Sequence, residues 1–134
     1  MNEDFVPFEL AVKLKEKGFR EECLCHYIDK DLVYNIESPI VNNQLWFCHN
    51  KYDNIWHRDN VDAPTISQVL KWLREEKKLH IEVMFIRPLH NRVKYYITDT
   101  DGSRGDFMDV SDEYYETWEQ AALAGIEYVL DNLI

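Results

Sequence analysis

The sequence contains no apolar run near the roughly 18 residues that a membrane span requires, so no helical span is expected. Its start, MNEDFVPFEL, lacks the basic first residues and the continuous apolar centre of a signal peptide, and a cytoplasmic location is expected. Cysteine is scarce. There are 3, an odd number without framework spacing, which fits free thiols in a reducing compartment better than a disulfide scaffold. Basic charge is also short, 15 Lys and Arg against 25 Asp and Glu, for a net charge of −10. A phosphate backbone is held through several clustered cations, so nucleic acid is an unfavoured partner. No internal repeat or low-complexity segment interrupts the chain. No catalytic, nucleotide or cofactor motif stands out, and no cofactor is expected. The serines, Ser38, Ser67, Ser103 and Ser111, lie in no strand-elbow-helix context, and the five histidines form no evident nucleophile-base pair. A non-catalytic protein is expected ahead of an enzyme.

What is present describes a globular chain. Its 134 residues suit one ordinary domain, and 46% hydrophobic residues, with 8 Tyr, 6 Phe and 4 Trp, can fill a core. Charge is unevenly placed. Residues 1–60 hold 7 basic and 11 acidic side chains, residues 61–98 hold 7 and 4, and residues 99–134 hold 1 and 10. The middle is mildly basic and the last third strongly acidic.

Periodicity then orders the elements. Residues 8–17, FELAVKLKEK, place Leu10, Ala11 and Leu14 on one helical face. Pro7 supplies the start, Gly18 a left-handed end, and Phe19 a side chain to pack on Leu14. From residue 22 the period becomes two, and ECLCHYIDKDLVY reads as two strands about a DK turn. A third strand is expected at Leu45, Trp46, Phe47 and Cys48, between two irregular connections. Thr65 and Gln68 form a capping-box pattern ahead of a helix with Ile66, Val69, Leu70 and Leu73 facing the core. Trp72 borders that stripe on one side, and Lys71, Arg74 and Lys78 line up beyond the other. Leu79, Ile81, Val83 and Phe85 alternate with His80, Glu82, Met84 and Ile86, and Val93, Tyr95 and Ile97 complete a hairpin. Residues 99–113 read as an acidic loop. The last helix opens on a second capping-box pattern, Thr117 and Gln120, and carries Trp118, Ala122, Gly125, Ile126, Val129 and Leu133 on one face. Leu123, Leu130 and Ile134 widen that face, which implies deep burial or contact with another subunit. The order is α-β-β-(β)-α-β-β-α. It predicts a single α+β domain over residues 1–134, two layers deep, with an antiparallel sheet of about four or five strands covered by helices.

Three segments, FELAVKLKEKGF, DAPTISQVLKWLREEKKLHIEV and ETWEQAALAGIEYVLDNLI, resemble an uncharacterised group of small proteins from Bacteroides-type bacteria and their phages or mobile elements. The resemblance covers about half the chain. Ala63, Pro64, Thr65, Lys71, Trp72, Leu73, Arg74 and Glu75 match the group's central segment, and Tyr115, Thr117, Glu119, Gln120, Ala121, Gly125 and Ile126 its last helix. The group often has glycine between the central helix and its strand, where this chain has Lys77 and Lys78. The resemblance implies a fold and a mobile-element setting. It implies no mechanism.

Candidate sites are few. Cys23, Cys25, Cys48 and His49 include zinc-ligand types, but Cys23 and Cys25 sit within a strand among apolar neighbours rather than at a turn, and buried thiols are the better account. Asp99, Asp101 and Gly102 lack the register of a calcium loop and fit a turn. Lys71, Trp72, Arg74 and Lys78 form a candidate interaction surface, joined by Trp46 and Trp56 in an aromatic-rich segment and by Leu123 and Leu130 on the last helix. The expected function is a small non-catalytic protein-interaction module, its partner another protein or a second copy of itself. The alternative is an acidic mimic of nucleic acid or a weak nucleic-acid-binding accessory, ahead of a small enzyme or metal protein.

Overall fold

In the computed structural model the described residues are 4–28, 30–34, 61–86, 92–102 and 108–134. The fold is α+β. The chain divides into two compact units, Met1–Thr65 and Ile66–Ile134.

The first unit begins with α1, Phe8–Glu16, which buries Leu10, Ala11 and Leu14. Pro7 stands at its N-cap with φ −68°, and the Pro7 carbonyl accepts the Ala11 N–H at 2.9 Å. The other end closes as a Schellman motif. Gly18 has φ +95°, its N–H donates to the Lys15 carbonyl at 3.2 Å, and the Phe19 N–H donates to the Leu14 carbonyl at 3.0 Å. The Arg20 guanidinium adds donors to the Lys15 and Phe19 carbonyls, so the last turn leaves little unsatisfied.

Strands β1, Cys25–Ile28, and β2, Asp31–Tyr34, form the expected hairpin, with Lys30 at φ 73° in the turn. The third strand, β3, is Val61–Ala63, which pairs antiparallel with β1 and gives the order β2-β1-β3. This strand was not foreseen. The strand expected at residues 45–48 lies outside the described residues. α1 packs beside β3, and Tyr27 ties the layers together. Its ring meets Phe8 edge-on at 5.6 Å, and its hydroxyl donates to the Val6 carbonyl at 2.6 Å. Val6 in turn donates its N–H to the Pro64 carbonyl, and Phe5 bridges to Thr65.

The second unit opens with α2, Ile66–Glu76, followed by β4, Leu79–Ile86, and β5, Arg92–Asp99. Then come β6, Met108–Val110, and α3, Trp118–Asn132. The sheet order is β4-β5-β6, wholly antiparallel. Among the described residues there are two sheets of three strands instead of one sheet of four or five. Alternation marks a strand but not its neighbour, and β3 and β6 are too short for a period of two to register.

α2 buries Ile66, Val69, Trp72 and Leu73, while Leu70 is half-buried. The stripe is therefore rotated toward Trp72 from the expected one. The α2 to β4 turn places Lys78 at φ 59°, a conformation glycine adopts without a Cβ penalty. The N-terminus of α3 is capped as expected, with the Gln120 N–H donating to Thr117 Oγ1 at 3.1 Å. The Gln120 side chain reaches one residue further back, accepting from the Glu116 N–H at 3.1 Å. α3 buries Ala121, Ala122, Gly125, Ile126, Val129 and Leu130. Gly125 permits close approach, since a Cβ there would lie 3.0 Å from Ile81 Cγ2 and 3.2 Å from Tyr95 Cγ.

Candidate interaction surface

The geometry of the second sheet follows from its hydrogen bonds. The Lys78 carbonyl accepts from the Thr100 N–H at 2.9 Å, so the residue before β4 aims its backbone at β5. Backbone direction alternates along an antiparallel strand. His80, Glu82, Met84 and Ile86 therefore bond to β5, and Leu79, Ile81, Val83 and Phe85 turn their N–H and C=O groups to the opposite edge. The far side of β5 agrees, because Val93 exchanges both bonds with Tyr115 at 2.8 Å and the Tyr95 carbonyl accepts from the Ser111 N–H at 3.1 Å. Among the described residues β4 pairs with β5 alone, so four donors and four acceptors line its outer edge.

The side chains of the same four residues face the helices, but cover fades along the strand. Leu79 is 0% exposed, Ile81 5%, Val83 half-buried and Phe85 61%. Met84, on the other face, is 44% exposed. Length explains this. Eleven helical residues in α2 span about 16 Å and fifteen in α3, which also packs on β4, about 22 Å, whereas eight strand residues in β4 span about 26 Å. The end of the strand outruns its cover.

The residues singled out in the sequence are dispersed. Lys71, Arg74 and Lys78 are exposed on and just beyond α2, with Glu75 and Glu76 exposed among them. The Lys78 ammonium donates to the Glu75 carbonyl at 2.8 Å. That mixture of signs makes a poor cradle for a phosphate backbone. Two assignments to the surface are corrected. Trp72 is 6% exposed with the Lys77 ammonium 5.3 Å above its ring, and Leu130 is 1% exposed. Both serve the core because the buried stripes of their helices extend to them. Leu123 is half-buried. Trp46, Trp56, Cys48 and His49 lie outside the described residues. Cys23 and Cys25 are buried thiols outside any disulfide, and among the described residues no group of three or more His, Cys, Asp or Glu is placed to hold a metal ion. The Asp99 and Asp101 pair makes a turn, with the Asp101 N–H donating to Asp99 Oδ1 at 3.0 Å. Sequence reasoning missed Phe85 and Met84. The mismatch in length between helix and strand was the available signal.

A tyrosine cluster lies on the covered face. Tyr95 stacks with Tyr115 at 6.2 Å and meets Tyr128 at 6.4 Å. Burial, aided by Tyr115, Asp109, Tyr128 and Asp112, pushes Tyr95 from 10.0 up to about 12. A hydrogen bond to Asp109 raises Tyr128, and burial lifts the Cys25 thiol from 9.0 to about 11. For each of these groups the protonated form is the neutral one, and the folded chain keeps its proton to higher pH than the unfolded chain. Their contribution to stability is therefore complete below pH 9 and is lost as pH rises from 9 toward 12. The urea midpoint is expected to stay level across neutral pH and to fall over that alkaline window. A midpoint that held or rose there would contradict the burial of Tyr95 and Cys25.

Compared with protein-family models, curated proteins and solved structures, the chain matches none. Among the described residues no helix is long and apolar enough to cross a membrane.

Proposed function

We propose that this chain is a small, non-catalytic protein-interaction module of the cytoplasm, from a phage or mobile-element setting, whose partner is another protein or a second copy of itself. One observation carries the reading: Phe85, 61% exposed beside Met84 at 44%, on a strand whose outer edge is unpaired among the described residues. Single exposed apolar side chains are ordinary. Two in succession point to opposite faces of a strand, so both faces stand clear at the same place as a row of unpaired backbone groups. Such an edge favours an extended partner strand, with backbone bonds giving affinity and side chains giving selectivity. The setting is supported by the resemblance of the central and last helical segments.

The test is a photo-reactive phenylalanine analogue at position 85, irradiated in living cells. Discrete adducts of defined mass are expected. A position 85 that yields only unlinked chain or a diffuse smear overturns the reading.

A further inference from the structure

We propose that the occupant of the β4 edge is the β4 strand of a second copy, paired antiparallel about a two-fold axis through Val83, so that two three-stranded sheets join into one of six strands. This rests on the interaction reading above and names its partner. The outer edge of β4 offers N–H and C=O groups at Leu79, Ile81, Val83 and Phe85, a spacing that matches itself when reversed. Three registers set Phe85 opposite another of these odd-numbered residues in the partner's strand, whereas an axis through His80 or Ile81 leaves Phe85 beyond that strand. An axis through Glu82 sets the two Glu82 carboxylates directly across a non-bonded pair, with Cα atoms about 4.5 Å apart, and is disfavoured by repulsion. An axis through Met84 shortens the overlap and leaves Ile81 beyond the partner's strand.

The axis through Val83 satisfies both demands. Val83 bonds to its own symmetry mate, and Phe85 of each copy lies across from Ile81 of the other, which brings its exposed ring to the flank of the helices that cover Ile81. Glu82 falls opposite Met84. Met84 is itself the cross-strand neighbour of Lys94. Glu82 of one copy therefore lies two strands from Lys94 of the other, about 10 Å between Cα atoms, within joint reach once the Lys94 ammonium leaves the Tyr114 ring, whose centre it lies 4.7 Å from in its own chain. Symmetry forms this pairing of opposite charges twice. Leu79 and Ile81 stay under the helices throughout, so assembly asks for no rearrangement of the core.

Met84→Lys and Met84→Glu test the register by sign. Both replace a side chain that is 44% exposed, and neither removes a core contact. In the Val83 register the new residue faces the partner's Glu82, twice per dimer. Met84→Glu should weaken the dimer about tenfold or more, while Met84→Lys should hold or tighten it. The intrachain effect runs the other way, because Lys94 sits across from position 84 within the same sheet. At a concentration where both variants are monomeric, Met84→Glu should therefore melt no lower than Met84→Lys, which separates association from folding. Sedimentation equilibrium of the full chain reads the first, and thermal unfolding the second. Equal loss of the dimer in both variants would place the axis elsewhere and overturn the register. A strictly monomeric parent chain would overturn the second copy as occupant. Adducts from position 85 to a different protein would do the same while leaving the interaction reading intact.

Discussion

Phe19→Ala should cost about 4 kcal/mol of folding stability, a large share of what a domain of this size possesses. Phe19 heads the fully buried side chains by volume among the described residues, with 1% of its surface exposed. It also lies two residues past Lys17, the C-cap of α1, where its N–H closes the helix onto the Leu14 carbonyl. The substitution keeps that backbone bond and deletes only the ring, so the loss reports the cavity rather than the cap. Phe19→Leu retains most of the volume and should cost about 1 kcal/mol. Urea denaturation of the two variants measures the difference. If alanine and leucine cost the same, the ring does not fill the core, and the role of Phe19 is confined to the helix end.

That helix end was legible in the sequence because every part of it is local. Gly18 and Phe19 follow the last periodic residue at the spacing a Schellman closure requires, and the same holds for Thr117 and Gln120 at the start of α3. Strands of four or more residues were legible too, since Cys25 and Tyr27, or Ile81 and Val83, repeat at a period of two. Val61–Ala63 and Met108–Val110 were not, because three residues carry no period and their pairing is decided by chain segments distant in sequence. The partition into two sheets was hidden for the same reason. At the candidate surface, alternation put Phe85 on the helix side of β4, and that is where it lies. Alternation does not say how far the helices extend, so the exposure of Phe85 could not be read from it. Trp72 erred in the opposite sense. At 100° per residue it borders the buried stripe, and a rotation of α2 by a fraction of a turn brings it inside.

Gly125→Val should cost about 3 kcal/mol and Gly125→Ala about 1, although both replace the residue least suited to a helix interior. A helix gains about 1 kcal/mol when glycine becomes alanine, so the sign depends on what the new methyl meets. It meets Ile81 Cγ2 at 3.0 Å and the Tyr95 ring at 3.2 Å. Neither is the free end of a flexible chain. Ile81 is branched at Cβ and 5% exposed, while the Tyr95 ring is stacked on Tyr115 and flanked by Tyr128. To admit a methyl, α3 must rise from the sheet by a few tenths of an ångström, and to admit valine it must rise further. Separation hydrates Tyr95, which burial otherwise holds at about 12, so its titration should move back toward 10 in step with the loss of stability. Tyrosinate absorbance as a function of pH measures that shift. A stabilised Gly125→Ala with an unmoved Tyr95 titration would show that α3 can yield at this point, and close approach to the sheet would then not be what keeps glycine there.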